Sequence, residues 1–555
     1  MSNFWPQVAA ATASLLLFPR VVQRIQLSRA KHRSLAGHSL MSKNLARWIP
    51  PLNYSARECF GLDGAPQSVL SQRQAGFKSL VHRLASESPR TREATQHLSL
   101  ALSDLNFVSR YRFPIPFAQE LSQQLRVGAV WKESGDNQLV DLDGRRFWDV
   151  TGSFGVNVLG LDAYKPLMRA SCEEALSVGP LLGGYTGDIE SVLDGLRRHS
   201  GMDEVSFHMS GTEAVMQAVR LARYHTRRKK IVRFSGAYHG WWDDVQPGVG
   251  NPMPPGHVFT LEEMSERALQ VIRSRGDIAC VLVNPLQAMH VNQNAPSDSA
   301  LLAGERRLSF DRDAYTRWLQ SLRQACTEAG VALILDEVFM GFRLGKRGAQ
   351  GYFGVRADMV CYGKTIAGGW PVGVVCGGEH WMKRYNPLRP ADICFARGTF
   401  NAHPAVIAGI KHFLLAIDTP EVTQLYRDAD VTWQQALDAW NHRFENENIP
   451  IRVAGLQTIW SIEFLVPSRY HWLMQFYLRD AGVAMSWVGT GRLIFNLSYT
   501  AEQRQAVLDA FVRAYRSFEA DQWTWLPEGA SSSNFKRAFA RDLWAAKWRQ
   551  WRHGA

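Results

Sequence analysis

From about residue 200 onward the chain alternates short, nearly unbroken apolar runs with stretches whose apolar residues recur at helical spacing. EVSFHM (204–209), KIVRF (230–234), IACVLVN (278–284), VALILD (331–336), ADMVCYG (357–363) and VGVVCGG (372–378) read as strands, and 211–226 and 311–329 as helices. Strands apolar on both faces, with helices between them, predict an α/β architecture with a mostly parallel sheet covered on both sides. Ligands in such sheets sit at the carboxyl ends of the strands. Ahead of this region, residues 65–105 read as two helices, with Leu70, Phe77, Val81 and Leu84 on the first and Leu98, Leu102 and Leu105 on the second. The tail FKRAFARDLWAAKWRQWRHG also reads as a helix. Its large apolar residues form two stripes, 535/539/543 and 544/548/551.

Charge changes this picture only at the ends. The formal net charge is +12 over 555 residues, which by itself suggests a nucleic-acid partner. Residues 1–57, however, carry eight Lys or Arg and no acid, and residues 529–555 carry six against Asp542 alone. The body at 58–528 is therefore within one charge of neutral, which argues against nucleic acid as its partner. The basic ends fit peripheral contact with a membrane or a carrier protein. Tryptophan with arginine in the tail is a mixture favoured at membrane interfaces, though packing onto the body or a second subunit suits it equally. The apolar run at 8–18 is too short to span a bilayer, which takes about 20 residues. Its positive charges follow the run, whereas a secretory signal places them before it. The expectation is a cytoplasmic protein, peripheral at a membrane surface or bearing an organelle transit leader. Seven scattered cysteines with no CxxC and no His/Cys cluster at zinc spacing read as small buried hydrophobes in a reducing compartment, with no metal site expected.

The candidate chemistry lies where strands end. Asp336 closes VALILD, and a carboxylate there is buried and needs a cation. Either a neighbouring arginine such as Arg343 or a protonated pyridine nitrogen supplies one. Lys364 follows another strand and precedes a glycine-rich turn, GKTIAGGWPVG (363–373). Alone it reads as a solvated loop lysine; with Asp336 it suits a pyridoxal phosphate site, the lysine holding the aldehyde as a Schiff base and the aspartate keeping the ring nitrogen protonated. HMSGTEA (208–214) is a strand, a tight turn and a helix start, so Ser210, Gly211 and Thr212 are either ordinary caps or a phosphate cradle. In GAYHG (236–240), Tyr238 can stack on a planar ring and His239 can hydrogen-bond nearby. Thr399 in RGTFNAHP is a further possible phosphate donor.

SGTEA, YHG, LDEVFMGFR, GAQGYFGVRADMVCYGKTIAGGWPVG and GTFNAHP, in this order and spacing, closely resemble class III pyridoxal phosphate-dependent aminotransferases. The glutamate-1-semialdehyde 2,1-aminomutase branch is nearest, and DLDGRRFWDVTGSFGVNVLG (141–160) extends the resemblance to roughly 107–520. The resemblance implies a fold type I homodimer with its sites at the subunit interface. A large domain at 171–404 holds a seven-stranded type of sheet, 107–170 forms the N-terminal part of the fold, and 405–528 forms a small α+β domain. Outside these lie a basic leader (1–57), an added helical extension (58–106) and the basic Trp-rich tail (529–555). Carried over, Lys364 is the Schiff-base lysine and Asp336 the pyridinium partner. Ser210, Gly211 and Thr212 hold the phosphate, with Thr399 reaching it from the other subunit, and Tyr238 stacks on the ring. Gln287 keeps the position that faces the cofactor's phenolic oxygen, while Asn284 replaces the family's usual glutamate. Arg112 is the arginine available for a substrate carboxylate. The implied activity is transfer of an amino group from a donor to an aldehyde or ketone. The alternatives are an aminomutase moving an amine within one molecule and a membrane-docked scaffold without activity.

Overall fold

The computed structural model describes residue 19 and residues 21–33, 38–246, 250–253, 256–289, 310–486 and 491–553. The apolar run at 8–18 and most of the segment after Gln287 lie outside these residues. The chain divides into two compact units. The first holds Met168–Asn294 and Asp311–Ile417 with the described residues up to Arg47, and the second holds Trp48–Leu167 and Asp418–Ala555.

The first unit is built on seven strands: β1 (Glu204–His208), β2 (Lys230–Phe234), β3 (Val258–Leu261), β4 (Ile278–Val283), β5 (Ala332–Asp336), β6 (Met359–Gly363) and β7 (Gly373–Gly377). They lie in the order β1-β7-β6-β5-β4-β2-β3. All are parallel except β7, which runs antiparallel between β1 and β6. β3 is the strand the apolar pattern does not reveal, because VFTL is short and only half of it is buried at this sheet edge. Helix α1 (Gly211–Thr226) presents Ala214, Ala218, Leu221 and Ala222 to Cys280, Leu282, Ile334, Met359 and Val375 of the sheet. Small residues on this face let the helix start close to the strand ends. Helix α2 (Arg312–Ala329) follows, begun by the Asp311 side chain accepting from the Ala314 amide at 2.8 Å.

Helix α3 (Pro404–Ile417) belongs to this first unit, so the boundary expected at 405 falls after Ile417. The reason is packing. A Cβ on Gly409 would lie 2.5 Å from the Ala367 carbonyl, and one on Gly195 would meet Leu414 at 2.7 Å, so α3 sits against the turn after β6.

In the second unit, strands at Trp131–Gly135, Gln138–Asp141, Arg146–Asp149 and Val483–Ala484 form one sheet, and Ile451–Leu456, Ile459–Phe464 and Arg492–Ile494 form another. The expected pair of helices over 65–105 is instead three, Gln67–Ser86, Pro89–Leu98 and Ser103–Tyr111. Leu98 and Leu102 are exposed because the chain leaves the helix at Ser99, whose hydroxyl bonds back to the Gln96 carbonyl at 2.7 Å. The tail forms helix α4 (Ser532–His553). Six cysteines are buried as free thiols, whereas Cys172 is exposed, contrary to the expectation for all seven. Among the described residues there is no cluster of metal-binding side chains and no helix long and apolar enough to cross a membrane.

Candidate active site

The carboxyl ends of β1, β2, β5 and β6 each deliver one candidate group. Asp336 ends β5, 4% exposed, and Glu337 follows it. Side chains alternate along a strand, so the two carboxylates part company. Glu337 accepts from the Ala349 and Gln350 amides at 2.7 and 3.2 Å, and burial raises its pKa to about 7. Asp336 instead accepts from the Val338 amide at 3.1 Å and from His239 Nδ1 at 2.8 Å. Its partner is thus an imidazole and not Arg343. His239 is itself buried, and burial holds its pKa below the ordinary histidine value while Asp336 pulls the other way. A neutral ring donating through Nδ1 leaves Nε2 as an acceptor, and that atom is buried without a partner.

Lys364 follows β6 directly and has φ of 51°, the left-handed region that a non-glycine residue adopts only when its surroundings enforce it. Gly363 on one side and the left-handed Gly368 cap of the short 3₁₀ turn on the other fix the chain there. The amine lies 5.6 Å from the centroid of the Phe339 ring. Burial disfavours the ammonium and lowers the pKa of Lys364 below the ordinary lysine value; Asp336 partly offsets this, and Arg343 adds to it. The amine is thereby brought closer to the neutral form that a nucleophile or base requires.

The turn after β1 meets these groups at close range. A Cβ on Gly373 would lie 1.9 Å from the Ser210 carbonyl, and one on Gly211 would lie 2.5 Å from Val338 Cγ1. A Cβ on Gly363 would lie 3.6 Å from the Gly211 Cα. Ser210 caps α1, its hydroxyl accepting from the Glu213 amide at 3.3 Å. The amides of Gly211 and Thr212 are the first two of the helix, which have no intrahelical acceptor and carry the positive end of its dipole. An anion binds well there. The loop 236–240 packs on this turn, because Gly240, at φ of 91°, leaves only 2.5 Å between its Cβ position and Thr212 Oγ1. Asn284 and Gln287 hold the loop by donating to the Tyr238 and Gly236 carbonyls at 3.0 and 2.9 Å. The side-chain oxygen of Gln287 remains buried without a partner. Tyr238 is 61% exposed, and its hydroxyl pKa is raised by burial of part of the ring and by Asp336.

The two remaining sequence candidates are Thr399 and Arg112. Thr399 lies in an exposed stretch with Phe395 and Phe400. Arg112 belongs to the second unit, where its guanidinium donates to Gln475 Oε1 at 3.0 Å. It lines a cavity of about 630 Å³ with Arg110, Arg126 and Arg479, and among the described residues no acidic side chain contributes to that lining. Arg479 was not legible in the sequence. It is buried, stacks 3.8 Å over the Phe147 ring, and has its pKa lowered to about 9 by burial and by Arg112 and Arg145. Nor was the His239–Asp336 bond legible, since 97 residues separate the partners.

Pyridoxal phosphate fits the residues present. A buried carboxylate at a strand end, an amine with a depressed pKa, two open amides at a helix start and two unpartnered buried polar atoms (His239 Nε2 and Gln287 Oε1) match a ring nitrogen, an aldehyde, a phosphate and further polar groups.

Comparison with known proteins agrees. The family model for class-III aminotransferases matches residues 121–244 and 312–515. The glutamate-1-semialdehyde 2,1-aminomutase of Methanocaldococcus jannaschii is 31% identical over 392 residues, 67% of this chain and 81% of that one. The enzyme of the same name from Ignicoccus hospitalis is 34% identical over 294 residues, 50% of this chain and 64% of that one. Among solved structures, a transaminase with PLP bound is 25% identical with a TM-score of 0.59, covering 71% of this chain and 92% of its own. A glutamate-1-semialdehyde aminomutase from Pseudomonas aeruginosa PAO1 has a TM-score of 0.65 over 81% of this chain and 99% of its own; at 19% identity it speaks to the fold. With more than half of its residues matched by the family model, the chain belongs to the class-III aminotransferases, enzymes that work with pyridoxal phosphate.

Proposed function

We propose that the protein moves an amino group from an amine donor to an aldehyde or ketone acceptor, with Lys364 as the lysine that holds the cofactor and shuttles the proton. The observation that carries this reading is the Lys364 amine, depressed in pKa by burial and placed with the His239–Asp336 pair at the ends of adjacent strands. The cofactor, when bound, supplies an electron sink that acidifies the C–H bond of the attached amine. In the proposed cycle the neutral Lys364 Nζ would accept the proton from the donor's carbon and hold it for return. Asp336 balances a protonated ring nitrogen, and His239 fixes the orientation of that carboxylate. The Gly211 and Thr212 amides take the phosphate, Ser210 shapes the turn, and Gln287 presents its oxygen to the ring. Phe339 beneath the amine, with the burial of β5 and β6, keeps water from solvating the ammonium. In a homodimer, the exposed segment around Thr399 becomes a subunit contact and its hydroxyl joins the partner's phosphate site.

The second reading is an aminomutase, favoured by the names of the two sequence relatives described above. A panel of amine donors followed by the cofactor's absorbance separates the two. Transamination releases the donor's carbonyl product into solution, whereas an aminomutase returns an isomer of its substrate with no release. A Lys364→Ala protein that still turned over would overturn both. An inactive scaffold has no support in a site whose lysine and aspartate are both in place.

A further inference from the structure

The outer face of α4 has no role in the activity proposed above. Its two apolar stripes have opposite fates. Phe535 is buried, and Asp542, the only acid of the helix, is turned inward, where its carboxylate accepts from the Tyr54 hydroxyl at 2.9 Å and pairs with Arg469 at 3.1 Å. Trp544, Trp548 and Trp551 point the other way and are 65%, 52% and 81% exposed. Their spacing of four and three places them in one row along the helix. Lys536, Arg537, Arg541 and Arg552 are exposed on the same helix, and no exposed position of it is acidic; Arg549 lies on the other side, where it helps lower the pKa of Glu58. Arg552 stacks over the Trp548 ring at 3.6 Å, and Trp48 meets Trp544 edge-on at 5.2 Å, so the row is held in place and is not a set of loose side chains.

We infer that this face of α4 docks the enzyme on an anionic phospholipid surface. Three indoles in a row are held in water at a cost, and their amphipathic rings are accommodated at the level of lipid headgroups. The interleaved cations select a negative surface, and a convex helix about 33 Å long can lie in the plane of such a surface. A second copy of the chain is a poor occupant. A two-fold contact sets a patch against itself, which would oppose the cations of this face to one another. The body between the basic ends is within one charge of neutral, so an extended polyanion such as nucleic acid finds no further positive track beyond the helix.

The test uses the full-length holoenzyme. Co-sedimentation is measured with vesicles of phosphatidylcholine alone and of phosphatidylcholine with phosphatidylglycerol, at low and high salt, with tryptophan emission read in parallel. Binding to the anionic vesicles alone is expected, with a blue shift and release at high salt. Each basic residue near such a surface multiplies partitioning by roughly five, so Arg537→Gln with Arg541→Gln should weaken it about 25-fold. Trp548→Ala with Trp551→Ala should abolish the shift, and both double variants should turn over as the parent does. Failure to bind anionic vesicles, equal binding to neutral ones, or undiminished binding by the variants would overturn the inference. So would tighter binding to duplex DNA or RNA than to vesicles, or a concentration-dependent dimer that the variants dissolve.

Discussion

Replacing His239 by phenylalanine tests the reasoning about the site most directly. The ring volume is retained, while the donor to Asp336 Oδ2 at 2.8 Å disappears. Asp336 then keeps only the Val338 amide at 3.1 Å, inside a site where the carboxylate is 4% exposed. A hydrogen bond to a charged group contributes about 1.5–3 kcal/mol. At 1.4 kcal/mol per factor of ten, that corresponds to roughly ten- to hundred-fold weaker hold on the protonated ring, or a similar loss in turnover. The assay is equilibrium titration of the cofactor-free protein with pyridoxal phosphate, followed by steady-state kinetics at saturating cofactor. His239→Asn is the companion variant, because its amide nitrogen can stand near the place of Nδ1 and should recover most of the loss. A phenylalanine variant within two-fold of the parent would refute the orienting role of His239. Equal losses in the two variants would refute it as well, since packing and not the donor would then be responsible.

Three further outcomes are expected. Lys364→Ala should lose the absorbance of the covalently held cofactor and at least about 10²–10⁴-fold in turnover, the range of a lost general base, measured by spectrum and initial rate. Gly373→Ala places a methyl 1.9 Å from the Ser210 carbonyl and should destabilise by about 1–3 kcal/mol or more in urea denaturation, while weakening binding of the cofactor's phosphate. Glu263 is fully buried, accepts from the Tyr315 hydroxyl at 2.8 Å, and has its pKa raised by burial to about 8. A carboxyl group raised on folding contributes stability that is complete below its unfolded pKa and is lost as pH rises toward the folded one. Glu263→Gln should therefore flatten the decline between about pH 5 and 8, by up to about 1.4 kcal/mol per pH unit; an unchanged slope would reject the assignment.

Much of this protein can be read along its chain. Apolar runs locate six of the seven strands of the main sheet, because a strand buried on both faces must be apolar at nearly every position. The ends of those runs locate Lys364, Asp336 and the turn at Ser210–Thr212, because a parallel sheet collects its strand ends on one side. Helical spacing likewise finds the two stripes of α4. What spacing does not contain is direction in space. Asp336 and Glu337 are equivalent neighbours in sequence, and only the pleat of β5 sends one to His239 and the other to the amides of 349–350. Arg479 is an ordinary arginine in sequence, and only burial against Phe147 makes it a depressed cation in a cavity lined, among the described residues, without acids. The two stripes of α4 are alike in sequence, and the inward bond of Asp542 decides which one faces the solvent. Local pattern thus determines which residues end a strand or share a helix face, because it follows from periods of two and 3.6 along one chain. Partnership across the fold is decided by tertiary packing, since it depends on desolvation and on contacts between segments that no local period relates.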